Sequence, residues 1–143
     1  MAAITRYVFD SSALLRWFDE GPGAARVEEI IFQAGAGYTR IAVSAVNWGE
    51  VYYVIARKKN EAQADSFSEE FRNLPIEITT ADYSRAERAG TFRNKHSLPY
   101  ADAFAASLAA SERATLITSD YDFKSVADAI SIEFLPRAQS SAR

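Results

Sequence analysis

Short apolar and β-branched runs recur along this chain with one or two helix-length amphipathic segments between them, and that alternation admits few folds. Tyr7-Val8-Phe9-Asp10, Tyr38 to Val43, Ile76 to Thr79, Ala114 to Thr118 and Ser131 to Leu135 read as strands. Strands joined through helices pair in parallel, and a parallel sheet needs helices over both faces. The expected fold is α/β, with a mostly parallel central sheet of four or five strands.

The segments between the strands carry helix signals. Ser11 or Ser12 is placed to cap a helix through Ala13 to Phe18, and Gly21-Pro22-Gly23 breaks the chain after it. Val27, Ile30 and Ile31 share one face of a second helix that Gly35 and Gly37 end. Ser44 caps a third from about Val46 to Lys59, and a fourth follows from Glu61 to Asn73, stopped by Pro75. Two more are expected over Ala81 to Lys95 and Pro99 to Ser111, with a short one over Phe123 to Ala129.

A chain of 143 residues with 48% hydrophobic content has enough apolar surface for one compact domain. Residues from Arg137 to Arg143 are small and polar and are expected to fray. No cysteine is present, which removes disulfides, zinc thiolates and a thiol nucleophile, and one histidine removes a His-rich metal centre. The net charge of −3 argues against a strongly basic nucleic-acid surface, yet bound cations can supply positive charge locally. No apolar run approaches the roughly 20 residues of a membrane span, and the N-terminus lacks a signal-peptide pattern. A cytoplasmic protein without a membrane role is expected.

Four acids stand where the pattern calls for something else. Asp10 closes the first strand and Asp120 follows the fourth, while Glu50 and Asp102 interrupt the inward stripes of two helices. Val46 and Val54 flank Glu50 at four residues, and Ala105, Ala106 and Ala109 continue the face of Asp102. Carboxylates are costly to bury unless paired or coordinated. In open α/β sheets ligands bind beyond the carboxyl ends of the strands, which is where Asp10 and Asp120 lie. If the fold brings the four together, they form an all-oxygen pocket suited to Mg2+ or Mn2+, and the chemistry implied is metal-dependent phosphodiester hydrolysis.

Each acid also has a plainer reading. Asp10 can cap the first helix, Asp102 and Asp120 suit helix N-termini, and Glu50 can pair with Arg40 across the fold.

The segments Tyr7 to Leu14, Ser44 to Val51, Leu98 to Ala103 and Ala114 to Phe123 resemble, in that order, the motifs of PIN-domain ribonucleases. In size and layout the chain is similar to the VapC toxins of toxin–antitoxin pairs. The resemblance implies a PIN-like α/β/α sandwich over residues 1–136 and a metal-dependent endoribonuclease. Asp10, Glu50, Asp102 and Asp120 would be its catalytic and metal-holding acids, with Ser11, Thr118 and Asp122 in support. It further implies an RNA substrate, a cognate antitoxin lying in the active-site groove, a homodimer, and a heterotetramer or larger assembly with the antitoxin. Operator DNA would be reached only through the antitoxin.

Arg85, Arg88, Arg93, Lys95 and His96 form a basic stretch ahead of Asp102, and Arg88, Arg93 and Lys95 are candidates for RNA phosphate contact. Its plainer reading is a solvated helix face. Arg57-Lys58-Lys59 suits a helix C-terminus, and His96 reads as a surface residue. Trp17, Phe18, Trp48, Tyr52 and Tyr53 exceed what two helices need inside, so an interface is one use for the surplus. Two rival functions remain: a non-catalytic RNA- or antitoxin-binding module, and a different α/β phosphohydrolase. An aspartyl-nucleophile phosphatase favours a second acid two residues after Asp10, where this chain has Ser12.

Overall fold

A computed structural model describes residues 3–138. Five strands, β1 (Thr5–Phe9), β2 (Thr39–Ser44), β3 (Glu77–Thr79), β4 (Thr115–Thr118) and β5 (Ser131–Phe134), form one sheet. Its order is β3-β2-β1-β4-β5, and every neighbouring pair runs parallel. The six α-helices among the described residues are α1 (Ser11–Phe18), α2 (Ala24–Gly35), α3 (Ala45–Lys58), α4 (Glu61–Arg72), α5 (Tyr83–His96) and α6 (Tyr100–Glu112).

The period-2 alternation of the strands sorts their side chains between two cores. Val8, Ala42 and Leu116 face a layer with Ala103, Phe104, Ala106 and Leu108 of α6, Ala89 of α5, and Phe123 and Val126. Phe9, Ile41, Val43 and Ile117 face the opposite layer, with Leu14, Val27, Ile30, Val51, Ile55, Phe67 and Phe71 from α1 to α4. The run of alanines along α6 lets it lie close to the sheet, and every residue from Ala103 to Ala109 is buried. Each face thus has its own core, and the sheet between them is hydrophobic on both sides.

The chain builds outward from β1 in one direction through β2 and β3, then returns to the other side of β1 with β4 and β5. The order therefore reverses between β1 and β4, and their carboxyl ends flank the crevice that such a reversal opens. Val8 is in register with Leu116 and Phe9 with Ile117, which sets the residues just past each strand side by side.

Several local expectations shift. Neither Ser11 nor Ser12 caps α1: Asp10 does, its Oδ1 accepting from the Ala13 N–H at 2.9 Å. The expected helix over Phe123 to Ala129 is a 3-10 segment instead, Tyr121–Val126, started by Asp120 accepting from the Asp122 N–H at 2.9 Å. Helix α5 begins two residues later than expected because Asp82 takes its N-cap and accepts from the Arg85 N–H. Trp48 stacks on Phe71 with centroids 4.3 Å apart, and Trp17 and Phe18 pack on Phe67, so these aromatics largely bury one another. Tyr53 is the member left 58% exposed.

The C-terminal end of the described chain is fastened to the site's neighbourhood. Leu135 N donates to the Thr118 carbonyl, Arg16 donates to the Pro136 carbonyl at 2.8 Å, and Arg137 lies 3.9 Å over the Tyr121 ring. Of the tail expected to fray, residues 139–143 lie outside the described residues.

Candidate active site

Asp10 is 2% exposed at the end of β1, and its burial is matched by bonds on both oxygens. Oδ1 accepts from Ser12 Oγ at 2.7 Å and from the Ala13 N–H, while Oδ2 accepts from Thr118 Oγ1 at 2.6 Å. The two hydroxyls lie 3.1 Å apart. Each owns a single proton and both protons are directed at Asp10, so that approach is a contact between two oxygens and not a third bond. The same hydroxyls accept in turn: Ser12 Oγ from the Ser119 N–H and Thr118 Oγ1 from the Asp120 N–H, each at 2.9 Å. One polar knot thereby joins the carboxyl ends of β1 and β4 and fixes Asp120 beside Asp10.

Glu50 reaches the cleft from α3. Its Oε1 accepts from Ser11 Oγ at 3.0 Å and from Asn47 Nδ2 at 3.4 Å, and the pairing with Arg40 does not form. Asp102 sits in the first turn of α6, half-buried. It makes no side-chain hydrogen bond or ion pair among the described residues. Burial is the chief reason its carboxyl is pushed up to about 7, and the negative charges of Asp120, Asp10, Glu50 and Asp122 add to the push. Burial also raises Asp10 to about 6, partly offset by the bonds from Thr118, Ala13 and Ser12, with Asp120 opposing its ionisation.

The four acids singled out by sequence therefore share one electrostatic field. Asp122 joins it from the exposed start of the 3-10 segment. Among the described residues, no three His, Asp or Glu side chains stand close enough to hold one ion as placed. The arrangement is a cleft of repelling carboxylates, not a closed cage. Its donors are hard oxygens only, and two of its acids are held partly protonated near neutral pH by burial and mutual repulsion. A divalent cation relieves both penalties, so the residues fit magnesium or manganese.

Ser11 and Thr118, read from the sequence as supporting groups, each hold one acid. Two further residues went unassigned there. Ser12 serves Asp10 and the Ser119 backbone together, and Asn47, wholly buried, donates to both Glu50 and the Ala101 carbonyl. A polar residue three positions before Glu50 on the same helix face was the available signal for Asn47.

The basic stretch divides. Arg93 donates to the Leu98 carbonyl at 2.6 Å and holds the turn into α6. Arg88 and Lys95 are exposed, and His96 packs against Phe92. Arg85 and Arg88 line a groove with Ser44, Thr79, Ser107 and Ser111.

No curated protein matches the sequence. Among solved structures, the chain is similar to VapBC2 from Rickettsia felis, solved bound to a DNA fragment from its promoter. The TM-score is 0.74 at 20% identity, covering 92% of this chain and 100% of that one. A toxin–antitoxin complex from Klebsiella pneumoniae aligns with a TM-score of 0.64 at 24% identity over 92% and 98% of the two chains. VapC20 from Mycobacterium tuberculosis, described as a sarcin–ricin-loop-cleaving toxin, aligns at 0.69 and 14% identity over 91% and 99%. At these identities the likeness is one of fold. The family assignment comes from the sequence itself: the PIN domain model matches residues 7–129, a span holding Asp10, Glu50, Asp102 and Asp120. The chain belongs to the PIN domain family.

Proposed function

We propose that this protein is a magnesium- or manganese-dependent endoribonuclease and the toxin of a toxin–antitoxin pair. The observation that carries the reading is Asp102: its carboxyl is repelled by Asp10, Glu50, Asp120 and Asp122 from three other segments of the chain, at the crevice between β1 and β4. A cluster so unfavourable by itself is retained where a cation is needed.

Asp10, Glu50, Asp102 and Asp120 hold the ion or ions. Magnesium keeps several of its waters and takes only one or two carboxylates directly, so a site with no preassembled cage suits it. Once bound, the metal supplies a water activated for attack on a phosphodiester and positive charge against the phosphate oxygens. The chain's own part is to orient the acids. Thr118 and Ser12 lock Asp10 and tie Asp120 to it, Ser11 holds one oxygen of Glu50, and Asp122 adds negative charge at the rim.

The substrate is RNA, with Arg88 and Lys95 as exposed cations for its phosphates; Arg93, bound to the Leu98 carbonyl, contributes by shaping that surface. The toxin role is supported by similar structures described as VapBC or toxin–antitoxin complexes, one of them with promoter DNA. By that analogy the partner is a small antitoxin whose segment lies in the acidic groove. The assembly is a homodimer that grows to a heterotetramer or larger, and contact with operator DNA is through the antitoxin. No helix among the described residues is long and apolar enough to cross a membrane, and we place the protein in the cytoplasm.

The test is cleavage of structured RNA with Mg2+ or Mn2+, with chelator, and with Asp10→Asn and Asp102→Asn. Cleavage that depends on the cation and falls by at least about a hundredfold in each variant, both remaining folded by circular dichroism, is the expected result. Cleavage by either variant at near the parental rate counts against the site.

A further inference from the structure

We infer that Asn47 is a positioning residue whose carboxamide sets Glu50 against the first turn of α6, and so fixes the spacing of Glu50 and Asp102 for a divalent cation. The inference rests on the metal-site reading above and adds a residue to it. Asn47 is wholly buried. Its Nδ2 donates to Glu50 Oε1 at 3.4 Å and to the Ala101 carbonyl at 3.1 Å, one residue before Asp102.

The orientation of this amide is forced. A flip would set its oxygen against a carboxylate and a carbonyl, both of which only accept. Both protons of the amide nitrogen are thus used, one within α3 towards Glu50 and one across the α3–α6 contact to the turn that carries Asp102. Asn47 Oδ1 has no donor among the described residues although it is buried. An apolar side chain of the same size avoids that cost, so packing alone gives no reason for an asparagine here. The explanation lies in what the nitrogen holds.

Ser11 also donates to Glu50 Oε1, from α1. The two donors act differently. Ser11 ties Glu50 to the segment that carries Asp10, and Asn47 ties it to the segment that carries Asp102. Without Asn47 the glutamate retains one anchor, and its distance to Asp102 is no longer set by a shared group. The expected consequence is weaker cation binding, since partners that orient metal-holding carboxylates typically affect affinity by roughly 10–100-fold.

Asn47→Leu keeps the heavy-atom count and branching and removes the donor. The probe is Mn2+ alone, without RNA, titrated into the full chain by calorimetry, with the thermal midpoint of the metal-free protein measured alongside. The expected result is Mn2+ affinity weakened roughly tenfold with the metal-free midpoint held or raised. Unchanged affinity with a lowered midpoint overturns the inference and makes Asn47 a structural residue. Should Asn47→Leu fail to fold, Asn47→Ser is read on the same two scales.

Glu50→Gln separates this inference from the reading beneath it. If Glu50→Gln leaves Mn2+ binding intact, Glu50 holds no cation and the metal-site reading fails. If Glu50→Gln weakens binding while Asn47→Leu does not, only the role of Asn47 fails. With both correct, adding Asn47→Leu to Glu50→Gln weakens binding by much less than the same change does in the parent.

Discussion

Thr118 Oγ1 donates to Asp10 Oδ2 at 2.6 Å and accepts from the Asp120 N–H at 2.9 Å, so one hydroxyl spans two acids 110 positions apart in the chain. Thr118→Val keeps the shape and deletes that link. A buried carboxylate that loses a charge-assisted bond costs roughly 1.5–3 kcal/mol. We expect a loss of that size in urea denaturation at pH 8. The loss is smaller at pH 5, where Asp10, held at about 6, carries its proton. Equal losses at both pH values would show that Thr118 serves packing and not the charge.

The stability of the metal-free protein falls as pH rises from about 4 to about 7 and is flat above that. Asp102 and Asp10 titrate near 7 and 6 in the folded chain and near their ordinary value of 3.8 in the unfolded one. Across that window the folded state binds more protons than the unfolded state, so raising the pH favours unfolding. Asp102→Asn removes the upper part of the slope and raises the thermal midpoint at pH 8 by roughly 3 °C. Denaturation midpoints between pH 4 and 9 test this; a parent curve that rises through the window contradicts it.

Divalent cation reverses that penalty. At pH 8, Mn2+ at a hundred times its dissociation constant is expected to stabilise the folded parent by about 2.7 kcal/mol. Asp10→Asn and Asp102→Asn should gain little from the same concentration. Thermal melts with and without Mn2+ measure the difference, and equal gains in parent and variants place the ion elsewhere.

Gly23 caps α2 with a φ of +92°, and a Cβ there lies 2.9 Å from Leu135 Cβ and 3.1 Å from Pro136 Cδ. Gly23→Ala therefore combines left-handed strain with a clash against the strand-end segment behind the site. A loss of roughly 1–3 kcal/mol in chemical denaturation is expected. A change under about 0.5 kcal/mol would show that the contact yields freely.

The sheet was legible because its strands are short, apolar and separated by helices: Val8 and Phe9, or Leu116 and Ile117, reach opposite cores as period 2 requires. That β1 lies between β2 and β4 is a fact of crossover order, which no local pattern encodes. The four acids stood out because each broke a stripe or closed a strand. Ser12 and Asn47 did not, since a serine near a helix start and an asparagine beside a tryptophan are unremarkable in one dimension. Their roles come from partners 107 and 54 residues away. Asp10 needed both readings at once, for the oxygen that caps α1 belongs to the carboxylate of the cleft. For Trp17, Phe18 and Trp48 the aromatic surplus has a use inside the fold, because Phe67 and Phe71 from a later helix pack on them, and each keeps a partly exposed edge.

The order of the strands also decides when this cleft can exist. β1 is made before β4, its neighbour on one side, and Thr118 is synthesised 108 residues after the Asp10 it holds. A nascent chain halted before Thr115 bears Asp10, Glu50 and Asp102 but lacks the hydroxyl and the fourth acid that complete the constellation. Assembly of the cleft is thereby coupled to near-completion of the whole domain.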